Sequence, residues 1–66
     1  MNVSELSPAQ RQQRANIRNA YLIESTDAIR SEMNQSSDEF SKTVFQEMLD
    51  ECEKAGVDNF GETPAF

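Results

Sequence analysis

Histidine is absent from the 66 residues, and cysteine occurs once, as Cys52. Without an imidazole no Ser–His or Cys–His pair can be assembled for nucleophilic catalysis. One thiol allows no internal disulfide, and by itself it cannot build a zinc site. The only two glycines, Gly56 and Gly61, cannot make a phosphate-cradling loop, which needs several. Asp58-Asn59-Phe60-Gly61-Glu62 is too short and too poor in oxygen ligands for a calcium loop. No apolar run is long enough to span a membrane, and no basic stretch leading into an apolar run marks a signal peptide. The expectation is a protein that is not an enzyme, binds no metal or other cofactor, makes no membrane contact and resides in the cytoplasm, where a single free thiol is at home.

Large apolar residues are also few. Ile, Leu, Val and Phe together number 13 of 66, near the level where disorder competes with folding. A chain of this length buries only roughly 60% of its unfolded surface. Such chains usually add a staple, and with disulfides and metals excluded the staple left is oligomerisation. The chain starts with Met1 and reads as a complete small protein with one domain over 1–66.

The formal net charge of −6 is unevenly spread. Residues 1–23 set Arg11, Arg14 and Arg18 against Glu5, a net of +2, whereas residues 24–66 set eleven acids against Arg30, Lys42 and Lys54, a net of −8. That asymmetry predicts that opposite charges meet when the chain folds.

Residues 1–6 carry few signals and read as a loose N-terminus. Ser7-Pro8-Ala9-Gln10 is a helix start: Ser7 can cap, Pro8 suits the first helical position, and Gln10 can close a capping box. No glycine or proline follows before Asn34, and the composition favours helix. A first helix over about 8–33 is therefore expected. Glu24-Ser25-Thr26-Asp27 is its weak point, because Ser and Thr compete for backbone hydrogen bonds and can start a new helix. Asn34-Gln35-Ser36-Ser37 reads as a turn. Ser36 with Glu39 reads as a second capping box, opening a helix over about 37–55 that ends at Gly56 as the C′ residue, with Lys54 in its last turn. Residues 57–66 form a non-helical tail. The expected fold is all-α: an antiparallel hairpin assembling into a dimeric four-helix bundle. The alternative is three short helices with a break near 25.

The second helix is amphipathic. Phe40, Val44, Phe45, Met48, Leu49 and Cys52 cover roughly half its circumference at about 100° per residue. One partner helix needs a narrower stripe, so this face, with Tyr21, Leu22 and Ile29 of the first helix, is the candidate oligomer or partner interface. Ile23 points elsewhere. The first two turns of the first helix, Ala9 to Arg14, have no apolar side, so they face solvent or something polar.

Three charged constellations remain. Arg11, Arg14 and Arg18 recur three and four apart on one helix face. They read either as a phosphate-contacting strip or, preferably, as partners of Glu47, Asp50, Glu51 and Glu53 within the fold or across a dimer. The overall acidity disfavours nucleic acid. The carboxylates Asp38, Glu39, Glu47, Asp50, Glu51 and Glu53 read as a solvated face, with an imitation of DNA phosphates as the sharper reading. Cys52 on the apolar face reads as an inert buried thiol. Phe60 and Phe66 either fold back or anchor a partner.

The function these features favour is a small acidic helical protein–protein interaction module, acting as an inhibitor, adaptor or regulator and forming a homo-oligomer. The partner's identity is not encoded in any motif. The alternatives are an acidic DNA mimic that blocks a nucleic-acid-binding enzyme, and a nucleic-acid or nucleotide-phosphate binder through Arg11, Arg14 and Arg18.

Overall fold

Helix-forming signals and apolar stripes resolve into three α-helices in the computed structural model, which describes residues 1–64: α1 (Pro8–Ala20), α2 (Thr26–Gln35) and α3 (Glu39–Ala55). Two single 3-10 turns, Val3–Glu5 and Phe60–Glu62, flank them. The described residues contain no strand, and the one β-type contact is an isolated antiparallel bridge between Ser25 and Asn59. The fold is all-α, and it follows the three-helix alternative: the helix expected over 8–33 is two helices.

α1 starts as its sequence requires. Ser7 Oγ accepts from the Gln10 N–H, Gln10 Oε1 accepts from the Ser7 N–H, and Pro8 occupies the first turn. The helix ends at Ala20 although neither glycine nor proline stands there. Ser25 caps α2, accepting from the Ala28 N–H at 3.2 Å. Breaking a helix strands backbone polar groups, and the C-terminal segment takes up three of them. Asp58 O accepts from the Thr26 N–H (2.8 Å), the Phe60 N–H donates to Glu24 O (2.9 Å), and Asn59 Nδ2 donates to Ile23 O (2.9 Å). The 57–64 segment is thus a strap across the α1–α2 junction.

α3 begins two residues later than the Ser36 capping box implies. Ser36 ends α2, with its N–H donating to Glu32 O, and Asp38 is the cap, accepting from the Ser41 N–H and hydroxyl. The C-terminal end is as read from sequence: Gly56 sits in the left-handed region at φ 71°, with Lys54 in the last turn.

Both other helices pack on α3. The core is Ile29 from α2, Val44, Phe45, Met48, Leu49 and Cys52 from α3, and Phe60 from the strap. Ile17, Tyr21, Met33, Phe40 and Val57 pack around it, with the Tyr21 and Phe45 rings edge to face at 5.2 Å. The half-circumference apolar face of α3 is therefore covered within the chain by three elements. The width of this face therefore does not by itself require a second chain: the expectation rested on a single covering helix, and three elements share the cover. Phe66 lies outside the described residues. Among the described residues, no helix is long and apolar enough to cross a membrane.

Candidate functional site

α1 contributes no fully buried residue, and it is held to α3 largely by polar side chains. Gln13 Nε2 donates to Asp38 Oδ2 (2.8 Å) and Ser41 Oγ (3.2 Å). Arg14 donates through Nε and Nη2 to the two oxygens of Glu47, at 2.9 and 3.2 Å. Arg18 reaches Glu47 at 3.0 Å and grips Glu51 with both terminal nitrogens, at 2.6 and 2.9 Å. Fork-to-fork pairs of this kind fix orientation as well as adding energy. The four side chains retain 15 to 22% of their accessibility, so they are largely shielded from solvent and form the closed network that the opposed charges of the two halves imply.

The order of these pairs runs the same way along both helices. Arg14 meets Glu47 and Arg18 meets Glu51, so α1 and α3 point in one direction, with the antiparallel α2 between them in sequence. A continuous hairpin would have set Arg11 beside the last acids. Instead Arg11 is exposed and makes no ion pair among the described residues, and Asp50 is exposed and accepts from Gln46 Nε2 at 2.9 Å.

Ionisation follows the contacts. The hydrogen bond to Glu51 raises Arg18 above its ordinary value despite the opposing effect of burial. Hydrogen bonds from Ser41 and then Gln13 pull Asp38 below the usual carboxylate range. Burial pushes the Cys52 thiol up, with Glu51 adding to it, and burial and then Glu32 push Tyr21 up. A thiol that is fully covered and raised is disarmed as a nucleophile.

Of the residues assigned from sequence to an interface, Ile29, Val44, Phe45, Met48, Leu49 and Cys52 are core, and Tyr21 and Phe40 are half-buried against it. Leu22 alone is open, at 53% exposure. Phe60 folds back and is buried, with the Arg18 guanidinium 5.1 Å from its ring centroid. Sequence reasoning assigned no contact to Ile23, which among the described residues is the most exposed large apolar side chain, at 77%. Its signal was that it falls off both apolar edges of the first helix while remaining aliphatic.

Leu22 and Ile23 border a cleft of about 520 Å³ lined also by Arg18, Phe60, Gly61 and Pro64. A second, open groove of about 750 Å³ follows the outward face of α3, where Gln46, Asp50 and Glu53 stand beside Met1. Among the described residues, no three metal-ligating side chains converge. Comparison with protein-family models, with curated proteins and with solved structures finds no match to this chain.

Proposed function

We propose that this chain is a small helical protein–protein interaction module of the cytoplasm that acts as an inhibitor, adaptor or regulator of a larger macromolecule, through the end of the molecule where α1 and α2 join. The observation that carries this reading is the pair Leu22 and Ile23, 53% and 77% exposed in a chain that covers most of its other large side chains. Single exposed apolar residues are ordinary. Two adjacent ones, on a turn tied down by the strap and beside a cleft of about 520 Å³, make a preformed contact of the kind partners use.

Self-association as a four-helix bundle loses its geometric support, because the α3 face is already covered. Phosphate binding through the arginines loses two of its three members, since Arg14 and Arg18 are matched by Glu47 and Glu51. An acidic nucleic-acid mimic keeps one supporting observation: Asp50 and Glu53 are exposed beside the open groove on α3. That reading expects a complex that salt dissolves and that Asp50→Asn with Glu53→Gln weakens.

The deciding experiment places a photo-cross-linking amino acid at position 23 and illuminates the source cell. A discrete adduct that disappears when Leu22→Ser accompanies it supports the module. If position 23 yields no adduct above that of a probe at Ala9, this surface is not where the protein binds.

A further inference from the structure

We propose that the cleft between the Leu22–Ile23 turn and the Phe60–Pro64 segment docks a short segment of a partner protein that combines apolar side chains with lysine or arginine. This rests on the reading of the chain as a protein-binding module and adds the chemistry of what it binds.

The apolar part of the argument is the cleft itself. Leu22, Ile23 and Pro64 line it together with the edge of Phe60, which is almost fully covered and has the Arg18 guanidinium over its ring. Its volume of about 520 Å³ is in the range that takes one or two inserted side chains.

The borders are fixed in advance. Asn59 holds Ile23 O and caps Gly61 N–H at 2.8 Å, the Phe60 N–H holds Glu24 O, and Thr63 Oγ donates to Phe60 O at 2.8 Å. Gly61 approaches so closely that a Cβ there would stand 3.2 Å from Leu22 O. A surface ordered before binding loses little entropy on binding.

The charge around the cleft selects the occupant. Residues 21–27 and 57–64, which make this end, contain Glu24, Asp27, Asp58 and Glu62 and no lysine or arginine. All four carboxylates are exposed; Asp27 is paired with Arg30 at 3.6 Å, which leaves Glu24, Asp58 and Glu62 to set the charge, and Glu24 and Glu62 directly follow Ile23 and Gly61. Arg18, the cation in the cleft, is already held by Glu51 and Glu47. An apolar centre with an acidic rim is complementary to an apolar segment carrying cations.

The same facts count against other occupants. A two-fold contact between copies would set the same acids against one another. Two exposed side chains also fall far short of the roughly 800 Å² per partner typical of a stable dimer. An anionic membrane surface would repel the rim.

The probe is a fluorescein-labelled peptide of alternating leucine and lysine pairs, titrated with the full chain. Its two controls replace lysine with glutamate, or leucine with serine. The leucine–lysine peptide should bind and both controls should fail. Ile23→Ser should weaken binding about tenfold, as removal of a central apolar anchor does, and Glu24→Gln with Glu62→Gln should weaken it about threefold and flatten its salt dependence. Amide shifts should centre on Ile23, Gly61 and Thr63. Circular dichroism checks each fold, and Ile23→Thr replaces the serine variant if that one loses helix.

Several results would overturn the proposal: binding unchanged by the position-23 variants, equal binding of the leucine–glutamate peptide, or shifts centred on Gln46, Asp50 and Glu53. Sedimentation showing a dimer that Ile23→Ser dissolves would assign the cleft to a second copy, and co-flotation with neutral phosphatidylcholine vesicles would assign it to a lipid surface. If a position-23 cross-link captures a partner in the cell while the leucine–lysine peptide fails, the module stands and the basic-apolar partner falls.

Discussion

Arg18 lies over the ring of Phe60, 5.1 Å from guanidinium carbon to ring centroid, while its terminal nitrogens grip Glu51. One side chain therefore ties the end of α1 to both α3 and the C-terminal strap. Arg18→Ala should cost about 1–2 kcal/mol in urea unfolding, from the lost pairing and the cation–π contact together. Arg18→Lys should recover less than half of that, because an ammonium has no planar fork to lay on the ring or match both carboxylate oxygens. Full recovery by lysine would mean that only the charge matters here.

Phe60 joins the core from outside the helices. Removing its ring should leave a cavity and also release the strap that satisfies Glu24 O and Thr26 N–H. Phe→Ala in a core costs about 3–5 kcal/mol, which matches the roughly 3–5 kcal/mol that one small core supplies altogether. Phe60→Ala should therefore be largely unfolded by circular dichroism, and Phe60→Leu folded with a lower urea midpoint. A folded Phe60→Ala chain with an unchanged midpoint would show that the strap is decoration.

The features legible in the sequence were the local ones. Ser7, Pro8 and Gln10 encode the start of α1, and Gly56 encodes the end of α3, because caps are written within four residues. The break after Ala20 was visible only as a weak point at Ser25, because what settles it is long-range: three backbone groups there find partners at Asp58, Asn59 and Phe60. The width of the α3 face is encoded in its own residues, but its cover is not, since the same strap delivers Phe60. The arginine–carboxylate network followed from charge asymmetry. Its direction did not, because with α1 taken as half of a hairpin the helices run the wrong way. The place of Ile23 off both apolar edges is legible in the sequence, but the cleft beside it is not, because the strap makes its other side.

The two glycines should fail for different reasons. Gly56 has open space around an added Cβ, but its φ of 71° is left-handed, so Gly56→Ala should cost about 1–2 kcal/mol from backbone strain alone. Gly61 has no such dihedral; an added Cβ would stand 3.0 Å from Asn59 Oδ1 and 3.2 Å from Leu22 O. Gly61→Ala should also destabilise, by displacing Asn59. The part of that loss due to Asn59 should vanish when Asn59→Ala is already present, leaving only the crowding of Leu22 O, as a double-mutant cycle would register. Additivity of the two would contradict the contact.

Asp38 predicts the acid limb. Its carboxylate accepts from the Ser41 hydroxyl at 2.7 Å and from Gln13 at 2.8 Å, which holds its folded-state pKa below the unfolded value. A group shifted in this direction stabilises the fold above the ordinary carboxylate pKa of about 3.9, and that contribution disappears as pH falls through the folded value. Thermal midpoints measured from about pH 5 down to about pH 2 should fall, and Asp38→Asn, which cannot titrate, should fall less steeply. Parallel slopes would remove Asp38 from the account.

Cys52 offers a direct readout of how the strap protects the core. Its side chain is fully covered, and burial together with Glu51 holds the thiol above its ordinary pKa. Native protein at pH 8 should react with an aromatic disulfide reagent slower than a free thiol by a factor on the order of 10² to several times 10³, the range set by a small core's stability at tenfold per 1.4 kcal/mol. Urea should raise the rate in step with unfolding. Phe60→Leu should raise it without urea, because a loosened strap opens the end of α3 where Cys52 sits. Reaction of the folded wild-type chain at the free-thiol rate would mean that this end of the core is open to solvent, and that Phe60 does not close it.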